Sequence, residues 1–215
     1  MILIGLLDSP FTRRVAISLA LRGIPFEHHA WSVGADFDRI REYSPLGRVP
    51  VLVFDDGEVL MESSSILDWI EHETDGAPLL PAAGPARREA MRLMGLASGA
   101  ADRGVAMVLE RLFHAEDKRS NALLARSRIQ IEGTLDALDA ACAARDGQWL
   151  VGDAMTLADI TVACYATYLK DAVPLEPSRW PALAAFVARC EALDVFRAHY
   201  APFYLPQPQG AKDTA

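Results

Sequence analysis

Cysteine is scarce in this 215-residue chain, and the three present, Cys142, Cys164 and Cys190, lie far apart with no Cys-x-x-Cys or Cys/His ligand spacing. An odd, dispersed set argues against a disulfide framework or a thiolate metal centre and leaves them as small apolar residues on helices. The histidines at 28, 29, 72, 114 and 199 also lack ligand spacing, so no metal is expected. No apolar run reaches the ~18 residues of a membrane span. The longest candidate, Leu93 to Leu109, is broken by Asp102 and Arg103. The opening MILIGLLDSP has no basic n-region, and its apolar run stops at Asp8. The expectation is a cytoplasmic protein that is neither exported nor membrane-spanning.

Positive charge is also short. A net charge of −8 and a pI near 5.1 disfavour nucleic acid and anionic membrane as general partners. Residues 51–76 contain eight acidic residues and no Lys or Arg, whereas residues 1–50 hold six Arg against five acidic residues. The first stretch can meet an anion and the second an ammonium, although both also suit solvated faces. With 51% hydrophobic and 23% charged residues there is ample material for a full core. The length suits two domains.

The apolar run Ile2 to Leu7 suits a strand buried on both faces. Ser9-Pro10 is a helix-start pair, and Val15, Ala16, Leu19 and Ala20 follow at helical spacing until Gly23 stops the helix. Phe26 to Val33 can supply a second strand, giving β-α-β, and a short polar helix fits Asp36 to Tyr43. Val49 to Phe54 and Glu58 to Met61 flank Asp56-Gly57, a hairpin signal. Ser63, Ser64 and Ser65 can then cap a helix that buries Ile66, Leu67 and Ile70. The order βαβ then ββα predicts a small mixed sheet covered by helices.

Pro, Ala and Gly dominate around residues 77–85, a linker composition. Beyond it no strand is evident. Ala- and Leu-rich helical patterns over 86–116, 120–145, 156–170 and 181–199 predict a helical bundle. The domain limits expected are therefore 1–76, a linker 77–85, a helical domain 86–200 and a Pro/Gln-rich tail 201–215.

Four segments carry a family resemblance. SPFTRRV opens the first helix, SPLGRVPVL surrounds Pro50, Glu62-Ser63 opens the third helix, and GDAMTLADI lies in the bundle. In this order they resemble glutathione S-transferases over nearly the whole chain. SPF before Arg-Val is most similar to the tau class, which has serine at Ser9's position, and the omega class, which has cysteine. The resemblance implies an α/β thioredoxin-like N-terminal domain with a mixed four-stranded sheet, an all-α C-terminal domain, glutathione as co-substrate, and a homodimer.

It also implies roles. Ser9 would stabilise the glutathione thiolate, with Thr12 as the substitute donor, although Ser9 before Pro10 is equally an ordinary N-cap. Serine cannot perform thiol exchange, so conjugation or elimination is favoured over thioltransferase chemistry. Val49 would pair with the tripeptide backbone like an added strand beside a cis Pro50. Arg48 would meet the glycyl carboxylate, and Glu62 and Ser63 the γ-glutamyl end. Phe11 borders both glutathione and a hydrophobic co-substrate, whose pocket would also use Ala101, Val105 and Val108, closed by Phe203 or Tyr204. Other reactions of the same fold remain open, namely lyase, dehalogenase, isomerase or peroxidase, as does a non-catalytic adaptor. Thr156 to Asp159 is purely structural, a capping box with Met155 and Ile160 as a staple.

Overall fold

The computed structural model describes residues 1–204, so the expectation for the tail beyond Tyr204 lies outside the described residues. Four short strands, β1 (Ile2–Ile4), β2 (Glu27–His29), β3 (Val51–Val53) and β4 (Val59–Met61), form one sheet in the order β2-β1-β3-β4. β1 and β2 are parallel, with Ile2 opposite Glu27; β3 is antiparallel to β1 and β4, with Leu3 opposite Leu52 and Leu52 opposite Leu60. Helices α1 (Pro10–Leu21), α2 (Phe37–Arg41) and α3 (Ser63–Glu73) complete the N-terminal domain.

Side chains alternate across a strand, and here the alternation splits the core in two. Leu3 and Leu52 join Val15, Ile17, Leu19, Ile66 and Ile70 on the face covered by α1 and α3. Ile4, Val51 and Val53 join Ile40 of α2 on the other. The strand expected over residues 2–7 ends at Ile4 because Gly5 adopts φ 134°, which turns the chain toward α1. At its other end α1 closes as the sequence implies: Gly23, at φ 67°, donates to the Ala20 carbonyl and Ile24 to that of Leu19, satisfying two terminal acceptors.

The C-terminal domain is helical: α4 (Gly84–Phe113), α5 (Asn121–Ala144), α6 (Leu157–Ala172), α7 (Pro181–Glu191) and α8 (Asp194–Ala198). α6 is its buried centre, with Ile160, Val162, Ala163 and Tyr165 wholly enclosed. The stretch expected as one helix over 181–199 is two, because the chain turns at Ala192-Leu193. The turn brings the Phe196 and His199 carbonyls onto the Arg13 guanidinium of α1, at 3.0 and 2.9 Å.

Candidate functional site

Ser9 is the N-cap of α1, half-buried, with its Oγ accepting the Thr12 amide at a long 3.5 Å. That use consumes an oxygen lone pair and leaves the O–H free to donate. Pro10 follows at the first helical position, where a missing N–H costs nothing. Thr12, the substitute donor, has its side chain fully buried beneath Gly5, and its Oγ1 has no hydrogen-bond partner among the described residues. A Cβ at Gly5 would stand 2.5 Å from Thr12 Oγ1 and 2.8 Å from Val49 Cβ, so the close approach that seats Val49 beside α1 requires glycine. The Val49-Pro50 bond is cis. Among the described residues the half-buried Val49 makes no backbone-to-backbone hydrogen bond, so its N–H and C=O are available to an extended chain.

Next along this rim, Glu62 caps α3 with φ 67°, a left-handed conformation uncommon outside glycine and found disproportionately at ligand sites. Its carbonyl accepts the amides of Ser65 and Ile66, while those of Ser63 and Ser64 have no backbone acceptor among the described residues. Such amides form a small anion site at a helix start.

Ser63 is buried, and its oxygen is occupied from behind: Arg14 of α1 donates to it through Nε at 3.2 Å and Nη2 at 2.7 Å. Because Ser63 accepts twice, its own O–H must donate elsewhere. Arg14 is the residue missed by sequence reasoning. It is 4% exposed, donates also to Thr161 Oγ1 at 3.4 Å, and lies 5.1 Å from the Tyr165 ring centre. Among the described residues no carboxylate comes within ion-pair distance of it. The sequence signals were its place among apolar neighbours on a buried helix and in the Arg-Val pair of the SPFTRRV segment, to which no role was given.

Arg48 is exposed, 3.8 Å from both Glu62 Oε1 and Asp102 Oδ1 of α4. Contacts this long between exposed groups contribute little. They do bring two carboxylates to one edge, and Asp102 was noted in the sequence only as an interruption of an apolar run.

The co-substrate pocket implied by the resemblance would lie where the two domains meet. Phe11 packs on Tyr165 with ring centres 5.0 Å apart, and Phe203 meets Tyr168 edge-on at 5.3 Å. Val105 and Val108 are half-buried on α4. Ala101 is not a lining residue, being wholly buried in the packing core. Tyr204 is exposed, and its amide donates to Asp8 Oδ2 at 3.4 Å. Burial raises the Asp8 carboxyl above its ordinary range, opposed by that amide. Burial likewise pushes the Tyr165 phenol up to about 12. The cysteines are all buried and free, each thiol pushed up to about 12, so none is a poised nucleophile. Among the described residues, no group of three or more His, Cys, Asp or Glu is arranged for a metal, and no helix is long and apolar enough to cross a membrane.

Residues 3–78 match the family model for the glutathione S-transferase N-terminal domain, and residues 101–194 that for the C-terminal domain. The chain is 34% identical over 169 residues to YibF of Escherichia coli (strain K12), described as an uncharacterised GST-like protein, covering 78% of this chain and 81% of that one. It is 29% identical over 201 residues to a maleylpyruvate isomerase of Ralstonia sp, covering 86% and 90%. A crystal structure of a glutathione S-transferase from Methylobacterium radiotolerans in complex with glutathione sulfonate superposes with a TM-score of 0.87 at 34% identity, covering 96% of this chain and 98% of that one.

Proposed function

The chain belongs to the glutathione S-transferase family, and on that premise we propose that it transfers the glutathione thiolate to an electrophilic, hydrophobic co-substrate held in the interdomain cleft. The carrying observation is the Arg14 guanidinium behind Ser63, without a carboxylate partner among the described residues, at a helix start whose first two amides have no backbone acceptor among them. A buried cation with no anion within ion-pair distance among the described residues suits a ligand that brings a carboxylate, as the γ-glutamyl end of glutathione does. Glu62 and Asp102 suit its ammonium. Val49 offers a strand edge to the peptide, and Arg48 is the cation for the glycyl carboxylate.

Ser9 holds the sulfur. A free thiol has a pKa of about 8.5, and lowering it two units requires about 2.7 kcal/mol of preference for the thiolate. One hydroxyl donor to a charged acceptor contributes about 1.5–3 kcal/mol, and a helix start about 0.3–1 kcal/mol more. The two together reach the requirement. Phe11, Val105 and Val108 hold the electrophile against the thiolate, where proximity lowers the barrier further. The same reading carries a homodimer in the cytoplasm with a detoxifying role.

The test compares wild type with Ser9→Ala for retention on immobilised glutathione and for thiolate absorbance of the bound ligand against pH. Ser9→Ala should still be retained, with the bound thiol's pKa raised by about 1–2 units and aryl-halide conjugation reduced about ten- to a hundredfold. An unchanged pKa removes Ser9 from the mechanism, and failure of the wild type to be retained favours an adaptor. A second reading, glutathione-dependent isomerisation, is supported by the likeness to the maleylpyruvate isomerase. Stoichiometry separates the two: transfer consumes glutathione, whereas isomerisation returns it.

A further inference from the structure

The residue before Ser9 is an aspartate to which the transfer reading gives no role. Asp8 is half-buried, and the one hydrogen bond to its side chain from outside the first loop, among the described residues, comes from the Tyr204 amide at a long 3.4 Å. No Lys, Arg or His lies within ion-pair distance of it among the described residues. The groups that oppose the burial of its charge are backbone amides, those of Tyr204, Ser9 and Asp8 itself, and none of them is a cation.

This carboxylate stands among aromatic rings. Its charge is felt at the Tyr168 phenol, which burial pushes up first and Asp8 pushes further. Tyr168 meets the Phe203 ring edge-on, and Phe203 directly precedes the Tyr204 whose amide reaches Asp8. Tyr165, three residues earlier on the same face of α6, packs on Phe11, two residues beyond Ser9. The other charge acting on Tyr168 belongs to Arg111 of α4, whose guanidinium donates to the Ala172 carbonyl at 3.0 Å, at the C-terminal end of α6. An acid without a counter-ion beside aromatic faces is the chemistry of cation recognition: the rings attract a cation and the carboxylate supplies its counter-charge. Arg14 asks for an anion at the γ-glutamyl end, and Asp8 asks for the opposite charge beside the sulfur.

We propose that Asp8 sets the charge preference of the co-substrate site: the electrophile accepted best carries a cationic nitrogen, held by the Asp8 carboxylate against Tyr168 and Phe203. Anionic electrophiles are turned away by like charge. The inference rests on the transfer reading and narrows its co-substrate from a hydrophobic electrophile to an amphipathic cation.

The test uses three chloronitrobenzamides that share one reacting ring and differ in the amide's chain, which is aminoethyl, propyl or carboxyethyl. In each, thiolate attack forms the S–C bond and expels chloride, so only the charge of the chain varies. With glutathione saturating at neutral pH, kcat/KM of the wild type should favour the ammonium over the carboxylate by about tenfold or more, through KM, with the neutral chain between them. Asp8→Asn should bring the three within about threefold of one another, and Asp8→Glu should restore the order. Equal values for the wild type, or an order that Asp8→Asn leaves intact, overturn the proposal while transfer itself stands. Absence of turnover with all three removes transfer instead, and calorimetry of the three glutathione conjugates then decides: tighter binding of the ammonium conjugate that is lost in Asp8→Asn supports the role of Asp8, and equal affinities overturn it.

Discussion

Arg14 carries a full charge into a position 4% exposed whose neighbours are two hydroxyls and an aromatic ring. Burying an ion without a counter-ion costs several kcal/mol even after relaxation. Arg14→Met, close in length and uncharged, should therefore leave thermal stability nearly unchanged or raised while weakening glutathione about ten- to a hundredfold by calorimetry. Unchanged affinity would mean the charge does not serve the ligand. A second residue-scale effect lies at alkaline pH. Burial raises Cys142, Cys164 and Cys190 from 9.0 to about 12 and Tyr165 from 10.0 to about 12. The unfolded chain releases these protons first, so the stability they contribute is complete below about pH 9 and is lost as pH rises toward 12. The urea midpoint should fall between about pH 8 and pH 10; a flat profile would refute the buried, protonated state of these groups.

Among the elements, α6 is the one whose start is most fully built. Thr156 Oγ1 accepts the Ala158 amide at 3.2 Å, and Asp159 accepts the Thr156 amide at 2.7 Å and hydroxyl at 2.8 Å, and the Leu150 amide at 2.7 Å. Thr156→Ala should cost about 1 kcal/mol, as N-cap losses usually do. Asp159→Ala should cost about 3 kcal/mol, since it strands buried donors. The double variant should lose less than the sum, because both act on one network. Urea denaturation reads all three, and strict additivity would show that the box is not a unit. α4 approaches this helix closely at Gly104, where a Cβ would stand 2.7 Å from Leu169 Cδ2. The missing side chain there lets α4 lie against α6 beside Tyr168.

For the whole molecule, α1 joins the domains through two neighbouring arginines. Arg14 reaches Ser63 and Thr161, whereas Arg13, 3% exposed, forms a bidentate pair with Glu191 of α7 and takes two carbonyls at the end of the chain's helical part. Removing one partner of a buried pair costs about 3–5 kcal/mol, so Glu191→Ala should lower the unfolding free energy by about that amount. Protease cleavage near Val195 should speed up with it, and no change in either would show that α8 is held by packing alone. Sequence by itself determined what is local: the Ser9-Pro10 helix start, the Gly23 stop, the Asp-Gly hairpin and the Thr156 cap all arise from groups within a few residues of one another. Periodicity likewise marked the apolar faces of α1, α3 and α4. What covers each face was left to the tertiary structure, which is why Ala101 and Thr12 are core although they share helices with rim residues. Only the fold, too, carried Arg14 to Ser63 across 49 positions and turned Arg48 toward Glu62 and Asp102. A charge acquires its partner through long-range packing, and spacing along one chain does not encode that distance.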